Sequence, residues 1–319
     1  MKKPVHIYYH MDFDGLVSSV LAHHFFRGEG FLPQIERPVD FDIQNKWKKE
    51  KILVKKPFAI VDFVYRNDAF AYFDHHGPNK PQKLSEETEY FFFDKNAESC
   101  ASLISRILGE ENHNQNISEL VKWCDIIDTA SYAQNNISVQ DQLYPQEPAI
   151  ILSKALETAR IESEKKFWNS LSEKLIKNAS IEEILEYREV LEKYKKCMIN
   201  QEEALHLLKE ISQYDKSKGI VTYDATKGLW NRFGPALIYP DSLIWIGLRK
   251  TNKNFIYLGV CQNPWNPKSP EALKKIHIGE ILSKYGGSGH KPVGGARFDS
   301  YKLAKESMGK IKKHIENFL

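Results

Sequence analysis

Four short apolar runs near the start of the chain, VHIYYH (5–10), FAIVDF (58–63), FAYFDHH (70–76) and YFFFD (90–94), constrain its fold most strongly. They are rich in β-branched and aromatic residues and are bounded by polar, Gly or Pro positions, which predicts buried strands. Between and after them, DGLVSSVLAHHFF (14–26) and ESCASLISRIL (98–108) carry apolar residues at helical spacing. Each opens on a carboxylate or Ser suited to a helix N-terminus. Strands that alternate with helices predict an α/β fold whose N-terminal part is a doubly wound, mostly parallel sheet.

The pattern then changes twice. From Pro148 to Tyr214 it becomes helical and charged, and SIEEILEYREVLEKYKKCMINQEEALHLLKEI (180–211) contains neither Pro nor Gly. That predicts a solvated helical connector with one apolar stripe. After Gly219, strand-like runs return in GIVTYD, SLIWIGLRK and FIYLGVCQ, followed by a glycine-rich loop, YGGSGHKPVGGARF (285–298), and a terminal helix. The expected division is a first domain over residues 1–195, a helical linker over 196–215, and a smaller C-terminal α/β domain with a mixed sheet over 216–319. The 319 residues suffice for two cores. Four widely spaced cysteines suggest neither a zinc knuckle nor a disulfide framework. With no signal-like or membrane-length apolar run, the expected location is the cytoplasm, with no membrane partner.

Acidic and histidine residues collect at the ends of the predicted strands. YYHMDFDG puts His10, Asp12 and Asp14 on alternate positions after the first run, and alternate side chains of extended backbone point the same way. The second run closes on Asp62, and the third on Asp74, His75 and His76. The carboxyl edge of an open parallel sheet is where ligands bind. Carboxylates gathered there need a cation. Oxygen ligands mixed with imidazole, without thiolate, suit Mn²⁺, Mg²⁺ or Fe²⁺, and so many ligands suit two ions. LVKWCDIIDTASY adds Asp125 or Asp128 as a further candidate.

The ordered set HMDFDG, IVDF, FDHH and CDIIDT, with YGGSGHKPVGG near the C-terminus, resembles the DHH phosphoesterase family, in the branch with a DHH-associated C-terminal domain. That branch includes RecJ-type exonucleases, nano-RNA and adenosine 3′,5′-bisphosphate phosphatases, and cyclic-dinucleotide phosphodiesterases. The resemblance implies that residues 1–195 are the metal-binding catalytic domain and 216–319 the substrate-binding domain. It implies that His10 and Asp12 hold one divalent ion, and that Asp14, His75 and Asp128 complete a second, with Asp62 bridging. The ions implied are Mn, or else Mg or Fe. Asp74 would orient the His pair, and His76 would face the substrate phosphate. His290 and Lys291 would grip a phosphate or nucleotide, with Gly287, Ser288 and Gly289 forming an anion-binding nest. Two departures stand out: only Met11 separates His10 from Asp12, where many relatives have three residues, and Ser288 and Val293 replace a usual Gly and Ala.

Other residues receive plainer readings. Arg249 is a candidate phosphate partner, though strand-end arginines are commonly solvated. Asn263 and Trp265 in GVCQNPWNP read as a turn, with base stacking by Trp265 as the less common possibility. Asn96, Glu98 and Ser99 read as a helix cap. His6 reads as a hydrogen-bonded strand histidine, and His23, His24, His113, His206, His277 and His314 receive no role. The functional expectation is a two-metal phosphoesterase acting in the cleft between the domains on a small nucleotide or short single-stranded oligonucleotide: nano-RNA, adenosine 3′,5′-bisphosphate or a dinucleotide. A homodimer is compatible with it. The net charge of +3 is too mild for a processive enzyme on long DNA. The alternatives are a pyrophosphatase or exopolyphosphatase, and a nucleotide-binding regulatory protein without catalysis.

Overall fold

A computed structural model describes residues 2–77, 80–81, 83–109, 114–160, 162–250 and 255–319; His113 lies outside these. The chain divides into two compact units, one of Met1–Ser131 with Pro145–Cys197, the other of Tyr132–Tyr144 with Met198–Leu319.

The first unit is built on a five-stranded sheet of β1 (Pro4–His10), β2 (Leu32–Val39), β3 (Phe58–Val61), β4 (Ala71–Asp74) and β5 (Tyr90–Phe93). All pairings are parallel, in the order β2-β1-β3-β4-β5. The order reverses between β1 and β3, so the switch point where such sheets bind ligands lies at their carboxyl ends. Strands buried on both faces read as continuous apolar runs, which made β1, β3 and β4 visible. The edge strand β2 was not, because LPQIERPV carries two prolines and two charges. Only an edge tolerates that, since Pro has no N–H to give the ladder.

Alternation divides the core. Tyr8, Phe58, Ile60 and Tyr72 join Trp47 and Phe63 on one face. On the other, Phe73 meets Phe25 and Phe26 of α1 (Phe13–Gly28), with rings 5.5 and 6.0 Å apart. Helix α2 (Gln44–Lys48) supplies Trp47, and α3 (Cys100–Leu108) and α4 (Gln115–Thr129) both pack on α1.

The short helix α5 (Val139–Leu143) belongs to the second unit, and α6 (Pro148–Thr158), α7 (Lys165–Ile176) and α8 (Ile181–Leu185) to the first. The charged stretch from Ser180 is two helices. A Ser180–Glu183 capping box starts α8, which stops after about one turn, and α9 (Arg188–Ile211) follows; the boundary between the units falls within it.

The second unit holds β6 (Gln213–Asp215), β7 (Ile220–Ala225), β8 (Ile244–Lys250), β9 (Ile256–Gln262), β10 (Ser288–Gly289) and β11 (Val293–Phe298) in the order β10-β11-β9-β8-β7-β6. Only β7 and β8 run parallel, so the sheet is mixed. Its smaller helices are α10 (Gly234–Ile238), α11 (Ser269–Ala272) and α12 (Ile278–Ser283). Helix α13 (Tyr301–Glu316) lays Ala304, Met308, Ile311 and Ile315 on the sheet at helical spacing. The stretch expected as a glycine-rich loop is instead a hairpin, β10 and β11. A Cβ on Gly279 of α12 would lie 2.0 Å from the Gly289 carbonyl oxygen, so glycine lets helix and hairpin backbones touch. No described helix is long and apolar enough to cross a membrane.

Candidate metal centre

The centre begins where β1 passes into α1. Asp12 caps α1, its carboxylate accepting the Gly15 N–H at 2.9 Å. A Cβ at Gly15 would lie 2.1 Å from the His10 carbonyl oxygen, so the glycine of HMDFDG permits this tight entry. Two residues on, the buried Asp14 accepts three hydrogen bonds: Ser18 hydroxyl (3.0 Å), Cys100 N–H (2.8 Å) and Ala101 N–H (2.9 Å). The last two belong to the first turn of α3, where the helix dipole favours an anion.

His10 and Asp62 come from the switch point. His10 Nδ1 lies 2.7 Å from Asp12 Oδ2 and 3.4 Å from Asp62 Oδ2, with the ring against Phe41 and Phe63. Asp62 leaves β3 with φ of 55°, a left-handed conformation that Asp adopts more readily than most residues. His10 Nδ1 and Asp62 Oδ1 are buried, and neither finds a well-directed hydrogen bond among the described residues.

The Asp-His-His run is organised by its carboxylate. Asp74 Oδ1 accepts the backbone N–H of His75 (2.8 Å) and of His76 (3.0 Å), and pairs with His76 Nδ1 (2.9 Å). Oδ2 accepts the Tyr72 hydroxyl at 2.6 Å, from the same face of β4 two residues back. His75 Nδ1 donates to the Ala97 carbonyl (3.0 Å), which turns Nε2 toward Asp128 (3.2 Å), Asp62 (3.7 Å) and Asp14 (4.0 Å). A Tyr72→Phe variant is expected to fold but to lose about 1–3 kcal/mol, because Asp74 Oδ2 is left buried without its donor. Its turnover is expected to fall roughly tenfold with little change in KM, as for other groups that orient a site residue. Chemical denaturation and steady-state kinetics check this; unchanged stability and kcat would remove the hydroxyl from the network.

Helix α4 presents two aspartates with different jobs. Asp128 faces His75, whereas Asp125 accepts the Ser99 hydroxyl at 2.5 Å. Ser99 caps α3 in a capping box with Ser102. Three donor sets result within the first unit: His10, Asp12 and Asp62; Asp14, His75 and Asp128; and Asp62, His75 and His76. In each set, one ligand-type atom per residue lies within 4.8 Å of the others. Asp62 and His75 each belong to two of them.

Charge at the centre is strained. Burial raises the Asp14 pKa well above the carboxylate range, and the charges of Asp62 and Asp128 add to it. Burial opposes the charged form of His10, yet Asp12 and Asp62 outweigh it and push the pKa up to about 10. His75 is likewise pushed up to about 10, its burial outweighed chiefly by Asp128. Asp12 and Asp128 are held below the usual range because their histidines outweigh the burial that opposes it. Protons on imidazoles here offset carboxylates, a task divalent cations perform without them. Burial and nearby carboxylates keep the Cys100 and Cys124 thiols well above their usual pKa, so the available donors are oxygen and imidazole. This donor set fits Mn²⁺, Mg²⁺ or Fe²⁺.

The fold thus brings His10, Asp12, Asp14, Asp62, Asp74, His75, His76 and Asp128 together. Gly287, Ser288, Gly289, His290 and Lys291 lie on the β10–β11 hairpin of the second unit. Arg249 does not join them. The register puts Gly247, two residues before Arg249, in one row with Gly259, Gly295 and Ser288, so β9 and β11 lie between Arg249 and β10, about 14 Å at ordinary strand spacing. Its guanidinium stacks between Trp230 (4.1 Å) and Tyr257 (4.5 Å). Trp265 stacks on Tyr132 at 9° and donates its indole N–H to the Ile137 carbonyl, and the buried Asn263 donates to the Pro240 and Ser242 carbonyls. QNPWNP is therefore a turn held by its own side chains. His6 bonds Glu36 at 2.8 Å. One residue at the centre had no signal in the sequence: Arg160, whose Nη2 lies 3.4 Å from His10 Nε2.

No family model matches the chain, and no curated protein does. Solved structures do. The whole chain aligns with the whole of a pGpG-specific phosphodiesterase from Vibrio cholerae, at 20% identity and a TM-score of 0.66. It aligns over 99% of its length with 52% of RecJ from Thermus thermophilus in complex with Mn²⁺, at 13% identity and a TM-score of 0.61. It therefore spans about half of that protein. Over 99% of its length it also matches 94% of an exopolyphosphatase-related protein from Bacteroides fragilis, at 14% identity and a TM-score of 0.51. At these identities the likeness is one of fold, and that fold matches the DHH family resemblance carried by the motifs. These comparisons give no support to a homodimer.

Proposed function

We propose that the chain is a metal-dependent phosphoesterase that hydrolyses phosphate esters of nucleotides or short oligonucleotides. The observation that carries this reading is the pair of three-residue donor sets, His10–Asp12–Asp62 and Asp14–His75–Asp128, joined through Asp62 and His75. His10, Asp12, Asp14, Asp62, His75 and Asp128 would hold two divalent ions, with Asp62 between them. Bound there, such ions supply Lewis acidity toward a phosphoryl oxygen and acidify a water. The protein's own contribution is orientation and proton handling. Asp74 fixes the His76 ring through Nδ1, and with its side chain 24% exposed, His76 is available to hand a proton to a leaving oxygen. His75 is kept in one tautomer by Ala97.

The solved structures named as a pGpG-specific phosphodiesterase and as RecJ with Mn²⁺ support the same reading. The specificity in the first one's name supports screening short linear dinucleotides first. The test is a Mn²⁺-dependent screen of linear and cyclic dinucleotides, two- to five-nucleotide RNA and DNA, adenosine 3′,5′-bisphosphate and pyrophosphate. Chelator-sensitive release of mononucleotide or phosphate from at least one nucleotide ester is the expected result. Turnover of pyrophosphate alone would favour the pyrophosphatase reading. Metal and nucleotide binding without turnover would favour a regulatory protein. His290 is proposed as a substrate ligand: His290→Ala is expected to raise KM about tenfold, the lower end for losing a hydrogen bond to a charged group, with kcat changed less. Unchanged kinetic constants would remove it from the site.

A further inference from the structure

Arg160 follows α6 on backbone pinned from two sides. The Ala159 N–H donates to the Leu156 carbonyl, and the Ala159 carbonyl accepts the indole N–H of Trp168 at 2.9 Å. Trp168 is fully buried and packs on Tyr9 of β1, so this backbone is anchored to the strand that ends at His10. From there the side chain reaches the centre. Nη2 lies 3.4 Å from His10 Nε2, and Nε lies 3.7 Å from Asp40 Oδ2.

A guanidinium is an odd neighbour for a cation site. It cannot ligate a metal or shed its proton, and its charge opposes a divalent ion nearby. Asp40, 3.7 Å away, and the charge of Asp12 offset part of it. An anion bound beside the metals would attract the guanidinium in turn, and the planar fork of N–H donors matches the oxygens of a phosphate. The side chain is 38% exposed, which leaves room for such a partner. We propose that Arg160 is a substrate-binding residue of the metal centre, donating to the non-ester oxygens of a bound phosphate. The proposal rests on the phosphoesterase reading and extends it to a residue outside the aspartate and histidine motifs.

The role makes two effects move in opposite directions. In Arg160→Gln, Mn²⁺ affinity is expected to hold or tighten, because a repelling charge is gone. Inorganic phosphate affinity of the Mn²⁺-loaded protein is expected to fall about 10- to 100-fold, with Arg160→Lys in between. KM for the nucleotide substrate follows the phosphate affinity. Calorimetric titration with Mn²⁺, then with inorganic phosphate, measures both without turnover. If phosphate affinity in Arg160→Gln stays within twofold of wild type, the proposal is overturned. Loss of Mn²⁺ and phosphate affinity together also overturns it, since Arg160 would then be a strut holding Asp40 and His10. A wild-type protein that binds no phosphate, with or without Mn²⁺, overturns it too. Arg160-dependent phosphate binding in a protein that hydrolyses none of the screened esters would sustain this proposal and sink the phosphoesterase reading alone.

Discussion

Asp62→Asn is expected to abolish hydrolysis, by at least about 10³-fold, the upper end for removing a single charge-stabilising group from an active site. Asp62 lies within ion-pair distance of His10 (3.4 Å), His75 (3.7 Å) and His76 (3.3 Å), so neutralising it weakens both proposed ion positions at once. The fold should survive. Asn tolerates the left-handed backbone at this position about as well as Asp. Removing one of several buried carboxylates also relieves repulsion on Asp14, whose pKa is raised by burial and then by Asp62. In chelator, that relief is set against the lost pairing with protonated His10 and His75, so the variant is expected to melt close to wild type. Mn²⁺ at 100 times its dissociation constant should stabilise wild type by about 2.7 kcal/mol and the variant by little. Retained Mn²⁺ stabilisation, or turnover near wild type, would show that Asp62 does not bridge the ions.

The second large effect is on metal affinity, and it follows from the imidazoles. His10 and His75 have pKa values pushed up to about 10, so at neutral pH both hold a proton in the metal-free protein. A metal ligand must be deprotonated, so binding expels those protons. Each one displaced makes the apparent affinity about tenfold tighter per pH unit. With two displaced, Mn²⁺ affinity is expected to rise about 100-fold per unit between about pH 6 and 8. Asp14, with its raised pKa, pushes the same way. Asp12 and Asp128, held below the usual carboxylate range, are already ionised there and contribute nothing to the slope. Calorimetry in buffers of different ionisation enthalpy counts the protons released. A pH-independent dissociation constant over this interval would contradict the charge arrangement.

The same shifts set the stability of the metal-free protein. A histidine with a raised folded pKa stabilises the fold fully below its ordinary value near 6.5, and that contribution is lost as pH climbs through the folded value of about 10. The melting temperature in chelator is therefore expected to fall over that interval.

Much of this centre was legible in the chain, for identifiable reasons. The runs that close on Asp62 and Asp74 are apolar on both faces, so each reads as a short continuous run whose first polar residue marks its carboxyl end, and β1 reads alike apart from His6. Asp12 and Asp14 announce themselves by alternation and by the Gly15 that follows. Less legible were features defined by what they pack against. β2 lacks an apolar run because it is an edge. The glycines near His290 read as a loop because the same residue that frees a backbone also lets two backbones touch. Residue type and spacing leave Asp125 and Asp128 both open, the family resemblance points to Asp128, and the rotation of α4 gives Asp125 to Ser99 and Asp128 to His75.

The order of short apolar runs, and the acids and histidines that end them, determined by themselves the parallel sheet and the edge at which those acids and histidines gather. These are properties of local periodicity and side-chain chemistry. Only the tertiary structure decided that Asp125 turns to Ser99, that Tyr72 holds Asp74, and that Arg160 reaches His10 across 150 residues of chain. Such neighbours are joined by helix packing and strand register, and proximity of that kind leaves no periodic trace in the sequence.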